Sequence, residues 1–139
     1  MEMIEGAIVD AVAATGVSAK ELDANERESI VICLRDRLNV DLCSESPWDK
    51  LDAPDGILNP DGWKLIPFFV GIENCLLITA SASVVWRLGS GKDLMLILQE
   101  CPPFEFYVAD IAFNYLVCFN HHDYLIGWGD ARLWVNQLA

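Results

Sequence analysis

Residues 104–129 read FEFYVADIAFNYLVCFNHHDYLIGWG, a stretch of three apolar, aromatic-rich runs that short polar breaks separate. In the first run, Phe106 and Val108 would share one face of a strand, because successive side chains of a strand point to opposite faces. The break after the second run holds Asn120 and Asp123, residue types that tolerate tight turns. The stretch therefore predicts a three-stranded antiparallel meander at the core of a small α+β domain.

The flanking sequence predicts one further strand and four helices around this meander. The run CLLIT at 75–79 is apolar on both faces, which is typical of a central strand. Helices are indicated where apolar residues recur at three- and four-residue spacing. The predicted sheet has about four strands, 75–79, 104–108, 115–119 and 124–128, and the predicted helices are 2–15, 24–38, 91–101 and 131–138. A chain of 139 residues with this pattern is expected to form a single domain, 1–139.

Individual residues indicate where the predicted helices begin. In a capping box, the first side chain accepts a hydrogen bond from a freed backbone N–H, and an acid three residues later reaches back. Ser90 is expected to cap the helix at 91–101. Two pairs have the capping-box spacing before the helix at 24–38, and the second is expected to open it: Ser18 with Glu21, and Asp23 with Glu26.

Three other segments complete the predicted architecture. Pro67 removes a backbone donor, so a short or kinked helix is predicted around it. Residues 84–87 can extend the sheet. Asp130 can cap the last helix, which is predicted to bury Leu133, Trp134 and Leu138.

Charge is the strongest global feature of the sequence. The formal net charge is −12, and residues 1–61 hold 14 Asp or Glu against 5 Lys or Arg, whereas residues 62–139 hold 7 against 4. This balance argues against nucleic-acid binding, because phosphates attract Lys and Arg. It fits association with a basic partner, since opposite potentials speed encounter. Solubility is the alternative explanation of the acidic residues.

Several features of the sequence indicate a cytoplasmic protein without membrane association. Glu2 and Glu5 stand where a secretory signal would carry Lys or Arg. No apolar run reaches the roughly 18 uninterrupted residues that a membrane helix needs. The five cysteines are odd in number and widely spaced, which favours reduced thiols over a disulfide framework. The sequence leaves open whether the protein is a monomer or a homodimer.

Two segments supply candidate partner-binding residues. The loop-rich segment 41–61 holds six acids and one lysine. Trp48 within it is either a plug at the core edge or an interface anchor, since Trp is enriched at binding hot spots. The second segment is the turn at 121–123. The candidate contact residues are Asp41, Glu45, Trp48, Asp49, Asp52, Asp55, His121, His122 and Asp123.

The same residues do not complete a catalytic or metal-binding signature. Adjacent histidines on an extended chain point to opposite faces, so His121 and His122 could hold one ion only in a sharp turn. Cys118 lies near His121 in sequence, but no third group can be assigned to orient that pair. The Gly89-Ser90-Gly91 stretch lacks the spacing of a serine-hydrolase elbow and of a phosphate loop. Neither a metal nor a cofactor is therefore predicted.

The second half of the chain resembles a group of small bacterial proteins of unknown or immunity-like function. Their shared pattern is a Trp, a helix, an apolar strand, a helix, E-F-Y-[IV], a strand, N-H-H-[DN], and then L-I-x-x-G. The matching elements in this sequence are Trp63, Cys75–Thr79, Glu105-Phe106-Tyr107-Val108, Asn120-His121-His122-Asp123, and Leu125-Ile126 with Gly127 and Gly129. The first half of the chain lies outside this resemblance.

The resemblance implies a role in bacterial toxin–immunity systems, in which the protein neutralises a co-encoded toxin by binding it. It brings no catalytic residues, so a protein that is not an enzyme is expected. Toxins that act on nucleic acids or nucleotides are basic where they bind phosphates, which agrees with the acidic composition. Two alternatives stay open: a small enzyme that uses His121 or His122 with Asp123, and a homo-oligomeric adaptor module.

Overall fold

The apolar runs of this chain pair into one antiparallel sheet in the computed structural model, which describes residues 3–43 and 56–138. Within those ranges the sheet has seven strands, in the order β1-β4-β3-β5-β6-β7-β2. The strands are β1 (Ala19–Glu21), β2 (Ile57–Leu58), β3 (Cys75–Thr79), β4 (Val85–Leu88), β5 (Phe106–Asp110), β6 (Tyr115–Phe119) and β7 (Tyr124–Gly129). The prediction of an α+β fold is confirmed, whereas the prediction of about four strands is wrong.

Five α-helices accompany the sheet in the described ranges. They are α1 (Met3–Thr15), α2 (Ala24–Leu38), α3 (Ile66–Val70), α4 (Gly91–Glu100) and α5 (Ala131–Gln137). Pro67 stands in the first turn of α3, where its missing N–H costs no helical hydrogen bond, and this confirms the predicted short helix. Over the same ranges, no helix is both long and apolar enough to cross a membrane.

The alternation of side chains along the strands creates two hydrophobic cores, one on each face of the sheet. Phe106 and Val108 of β5 join the core that α1, α3, α4 and α5 cover, as their predicted common face requires. Tyr107 and Ala109 of the same strand join the core that α2 covers. Because both faces are covered, the central strands are mostly apolar, and all five residues of β3 are buried.

Two capping boxes were predicted in the first half of the chain, and one of them opens a helix. The Asp23 carboxylate accepts from the Glu26 backbone N–H at 2.8 Å, and the Glu26 carboxylate accepts from the Asp23 N–H at 3.0 Å, which confirms the capping box of α2. The other pair, Ser18 with Glu21, does not open a helix. Its residues lead into β1 instead, because β4 offers an unpaired strand edge to which Ala19–Glu21 hydrogen-bonds.

The meander is displaced from its predicted position at its first strand. β5 begins at Phe106 rather than Phe104 and runs to Asp110, so the first turn falls on 111–114. The ladder starts at Phe106 because that residue pairs with Thr79 and Phe119, the last residues of β3 and β6, so Phe104 and Glu105 have no strand residue opposite them. β6 spans its predicted residues, and β7 extends one residue beyond the prediction.

The buried face of α5 differs from the predicted one. Leu133 is 66% exposed, Leu138 is also exposed and Trp134 is half-buried, whereas Ala131 and Val135 are buried. The cause is the neighbouring Gly127 of β7: a Cβ there would lie 2.6 Å from the Ala131 carbonyl oxygen. The helix therefore packs against the strand through its smallest residue. Asp130 precedes α5 but makes no side-chain capping bond.

Candidate functional site

The structure divides the predicted contact residues into three groups. Five of them lie outside the described residues: Glu45, Trp48, Asp49, Asp52 and Asp55. Asp41 is half-buried, and its Oδ1 accepts from the Cys43 backbone N–H at 3.0 Å, so it closes a local turn. His121, His122 and Asp123 are exposed together at the β6–β7 turn. The candidate site is therefore built around that turn.

The β6–β7 turn is a tight hairpin connection with fixed backbone geometry. The Asp123 N–H donates to the Asn120 carbonyl at 3.1 Å, and the Asn120 N–H donates to the Tyr124 carbonyl at 3.0 Å. Asp123 has φ of 65°, in the left-handed region that Asp and Asn enter more readily than most residues. The polar residues predicted to form this turn do so, with Asp123 at its demanding position.

Asn120 holds the turn from inside. Its side chain is a rare polar group in the core, because the residue is only 4% exposed. Its Oδ1 accepts two backbone N–H bonds, from His122 at 2.9 Å and from Tyr124 at 3.0 Å. One buried amide thus satisfies donors that the turn would otherwise leave without a protein partner.

Glu105 fixes the turn from outside, and sequence reasoning had assigned it no such role. Its Oε1 accepts the His121 backbone N–H at 3.0 Å and contacts His121 Nδ1 at 2.6 Å. The Glu105 side chain is 15% exposed, against 61% for His121. An ionised carboxylate only accepts hydrogen bonds, so Nδ1 of His121 carries the proton. The only sequence signal for this contact was the E-F-Y motif itself, sixteen residues before the histidine.

The two imidazoles lie side by side in this turn. The ring centroids of His121 and His122 are 3.9 Å apart, with an angle of 44° between the planes. In the described ranges, no group of three or more His, Cys, Asp or Glu residues is arranged to hold a metal ion. The two adjacent rings are exposed and form a polar, aromatic surface.

Cys118 is separated from the histidines by burial. It lies in the core on the α2 side of the sheet and is 0% exposed. Burial, with the nearby Glu105 carboxylate as a second cause, raises the pKa of the Cys118 thiol well above its usual range. A nucleophilic cysteine needs a lowered pKa and access to substrate. The Cys118–His121 pair weighed from the sequence is thus unsuited to nucleophilic chemistry.

Three segments meet at the end of the sheet that carries the turn, and this surface is called the histidine end. The register places them together, since Phe106 pairs with Phe119, and Leu58 pairs with Tyr124. The segments are 58–64, 99–105 and 119–124, and their acids are Asp61, Glu100, Glu105 and Asp123 against a single Lys or Arg residue, Lys64. Lys64 lies 3.4 Å from Asp61. The histidine end is therefore acidic, and three of its four acids lie outside the loop at 41–61.

No model of a known protein family, no curated protein and no solved structure matches this chain. The resemblance of the second half to immunity-like bacterial proteins therefore stays a prediction.

Proposed function

We propose that this chain is a bacterial immunity protein that binds a basic toxin domain and neutralises it by covering its active site. The observation that carries the proposal is the histidine end. There an exposed turn of two histidines and an aspartate is held by Glu105 and Asn120 within an acidic surface. The proposed toxin acts on nucleic acid or nucleotides, because such enzymes are positively charged where they bind phosphates.

Complementary charge explains how such a protein would capture its toxin. A chain of net charge −12 attracts a basic surface over several ångströms, and the attraction raises the association rate. Exposed carboxylates such as Asp123 and Glu100 can then pair with the Lys or Arg residues that would otherwise hold phosphate. The acidic loop at 41–61, including Trp48, is proposed as a second contact segment.

The rigidity of the turn supports tight binding. Side chains that are already held before association lose less conformational entropy when they enter an interface. At the histidine end, Oε1 of Glu105 holds both the backbone and the ring of His121. The turn therefore presents its donors and acceptors in one arrangement.

Co-expression with the product of the adjacent reading frame tests the proposal. If that product is toxic to a bacterial host, this chain should restore growth, and the two purified proteins should form a stable complex. The affinity should fall with added salt, because exposed charge pairs are screened. Continued toxicity, together with no complex at micromolar concentrations, would contradict the proposal.

A second candidate function is a small hydrolase, and the contact between His121 and Glu105 favours it. A carboxylate that orients an imidazole is the arrangement of a general base. Stoichiometry separates the two functions. An inhibitor must be present at one copy per toxin molecule, whereas an enzyme protects at far lower amounts. A titration of toxin activity against this chain distinguishes them, and an end point near equimolar supports the inhibitor.

A further inference from the structure

The histidine end contains an apolar cup with a volume of about 80 Å³. Its wall includes the rings of four aromatic residues and two side chains from the end of α4: Trp63, Phe104, Phe106, Phe119, Leu98 and Cys101. The cup opens beside the segment that carries Glu105, so it borders the surface of the proposed function. No feature of the sequence indicated it, because its residues come from three separate stretches of the chain.

The wall of the cup is already formed in the folded protein. Phe106 and Phe119 project from paired strands, with ring centroids 6.1 Å apart, and both are almost fully buried. Phe104 lies 5.1 Å from Phe106, and together with Trp63 it is only half-buried, so these two rings form the mouth. Apolar pockets with rigid walls are where proteins hold apolar groups.

The rim of the cup is acidic. Glu100 adjoins Cys101, and its carboxylate is the second cause, after burial, of the raised pKa of the Cys101 thiol, so one carboxylate flanks the cup. Near Trp63 the rim carries Lys64, whose Nζ lies 5.5 Å from that ring and 3.4 Å from Asp61. The one lysine of the histidine end is thus already paired with an acid. A ligand that brings both an apolar group and positive charge matches this arrangement.

We propose that the cup receives an aliphatic side chain, of the size of Leu or Met, from a basic segment of the partner protein. This inference rests on the proposed function and specifies the chemistry of its partner. The volume is about half that of the roughly 150 Å³ cavity that holds benzene, so a branched aliphatic tip fits and an indole does not. The aromatic wall excludes charged groups, which the rim instead attracts.

Nuclear magnetic resonance with short peptides tests the cup directly. The probes are Lys-Lys-Leu-Lys-Lys, the same peptide with Ser in place of Leu, and Glu-Glu-Leu-Glu-Glu. The first should shift the Trp63 indole and Leu98 methyl signals, with binding about tenfold tighter than the Ser peptide because a Leu side chain is buried. Equal binding of the Leu and Ser peptides would overturn the inference. So would equal binding of the acidic peptide, or the same shifts on concentrating the protein alone, which would indicate a second copy as the occupant.

A cup-filling variant connects this test to the partner. Cys101→Phe places a ring in the cup without changing charge, and Cys43→Phe makes the same change at an exposed site in another segment. Cys101→Phe should weaken neutralisation about tenfold and abolish peptide binding, while Cys43→Phe changes neither. Full neutralisation by a folded Cys101→Phe protein would refute the cup and leave the immunity function standing. Failure of the unmodified chain to neutralise the toxin would refute the immunity function instead.

Should Cys101→Phe fail to fold, Glu100→Lys gives an independent test of the rim, because Glu100 is exposed. This variant should weaken binding of the basic Leu peptide several-fold and should bind the acidic Leu peptide more tightly than the unmodified protein does. If the affinities of both peptides were unchanged, the acidic rim would have no role, and the inference would be wrong.

Discussion

The two turns of the meander share several backbone features and differ in their contents. In the β5–β6 turn the Phe113 N–H donates to the Asp110 carbonyl at 3.2 Å, as the Asp123 N–H donates to the Asn120 carbonyl in the β6–β7 turn at 3.1 Å. Each turn begins with an Asp or Asn whose Oδ1 accepts two backbone N–H bonds. Each also ends on a left-handed residue, with φ of 59° at Phe113 and 65° at Asp123.

The residues inside the two turns differ in character, although the turns share backbone features. Between Asp110 and Asn114 the chain reads Ile, Ala and Phe, and Phe113 packs against the core beneath α2. The corresponding positions of the β6–β7 turn, at the histidine end, hold His, His and Asp, all exposed. Since apolar residues occupy these positions in the comparable β5–β6 turn, a turn of this kind does not by itself require the two histidines. That difference is the reason to assign function to the β6–β7 turn rather than to its counterpart.

The largest stability difference between the turns should appear at their first residues. Asn120→Ala removes a buried acceptor of two backbone donors and should lower the free energy of unfolding by about 2–3 kcal/mol. Asp110→Ala removes an acceptor that is only half-buried, so water replaces it and the loss should be about 1 kcal/mol. Urea denaturation of both variants measures the two values. Equal losses of unfolding free energy in the two variants would show that the burial of Asn120 does not distinguish its turn from that of Asp110.

Alkaline pH should destabilise the sheet that joins the two turns. Burial, with Asp93 as a second cause, raises the pKa of the Cys75 thiol from its ordinary 9.0 to about 12. Burial likewise raises the pKa values of Tyr107 and Tyr115. Between pH 9 and 12 the unfolded chain therefore binds fewer protons than the folded one, so stability is complete below pH 9 and falls as pH rises.

The midpoint of urea unfolding, measured from pH 7 to pH 11, checks this direction. Cys75→Ala should flatten the decline, whereas the same change at the exposed Cys43 should leave the slope as it is. A midpoint that stays constant or rises above pH 9 would contradict the expected sign.

The smallest effect should come from the left-handed positions. Asp123→Gly relieves an unfavourable φ without loss of packing, and should stabilise the fold by up to about 0.5–1 kcal/mol. Phe113→Gly relieves the same strain but removes a ring from the core, so it should destabilise. The melting temperatures of the two variants give the comparison. Shifts of the same sign in both would show that the packing of Phe113 does not make the two turns respond differently.

Patterns within the chain predicted most elements of this fold. α2 began at its capping box, and β3 and β6 spanned their apolar runs, because those signals are local. β1 and β2 carry no such signal: they have three and two residues, and they become strands only by pairing with β4 and β7. The buried face of α5 likewise depended on Gly127, a residue of another element.

The candidate site could be predicted only where its residues are neighbours in the sequence. The turn residues His121, His122 and Asp123 stood out in the sequence and are exposed together. The contact of Glu105 with His121 and the apolar cup join segments that are distant in the chain, so periodicity and spacing could not indicate them. The turn residues alone predicted an exposed surface. The residues that the fold places around them, Glu105 and those of the cup, indicate what that surface can bind.

Matched charge changes at the two ends of the sheet test most directly the claim that the histidine end binds the partner. One variant combines Glu100→Lys with Asp123→Asn at the histidine end, and the other combines Glu73→Lys with Asp130→Asn at the opposite end. All four residues are exposed, and both variants change net charge equally. Isothermal titration against the product of the adjacent reading frame should show about tenfold or greater weakening for the first variant and little change for the second. Equal weakening by both variants would contradict the assignment of binding to the histidine end.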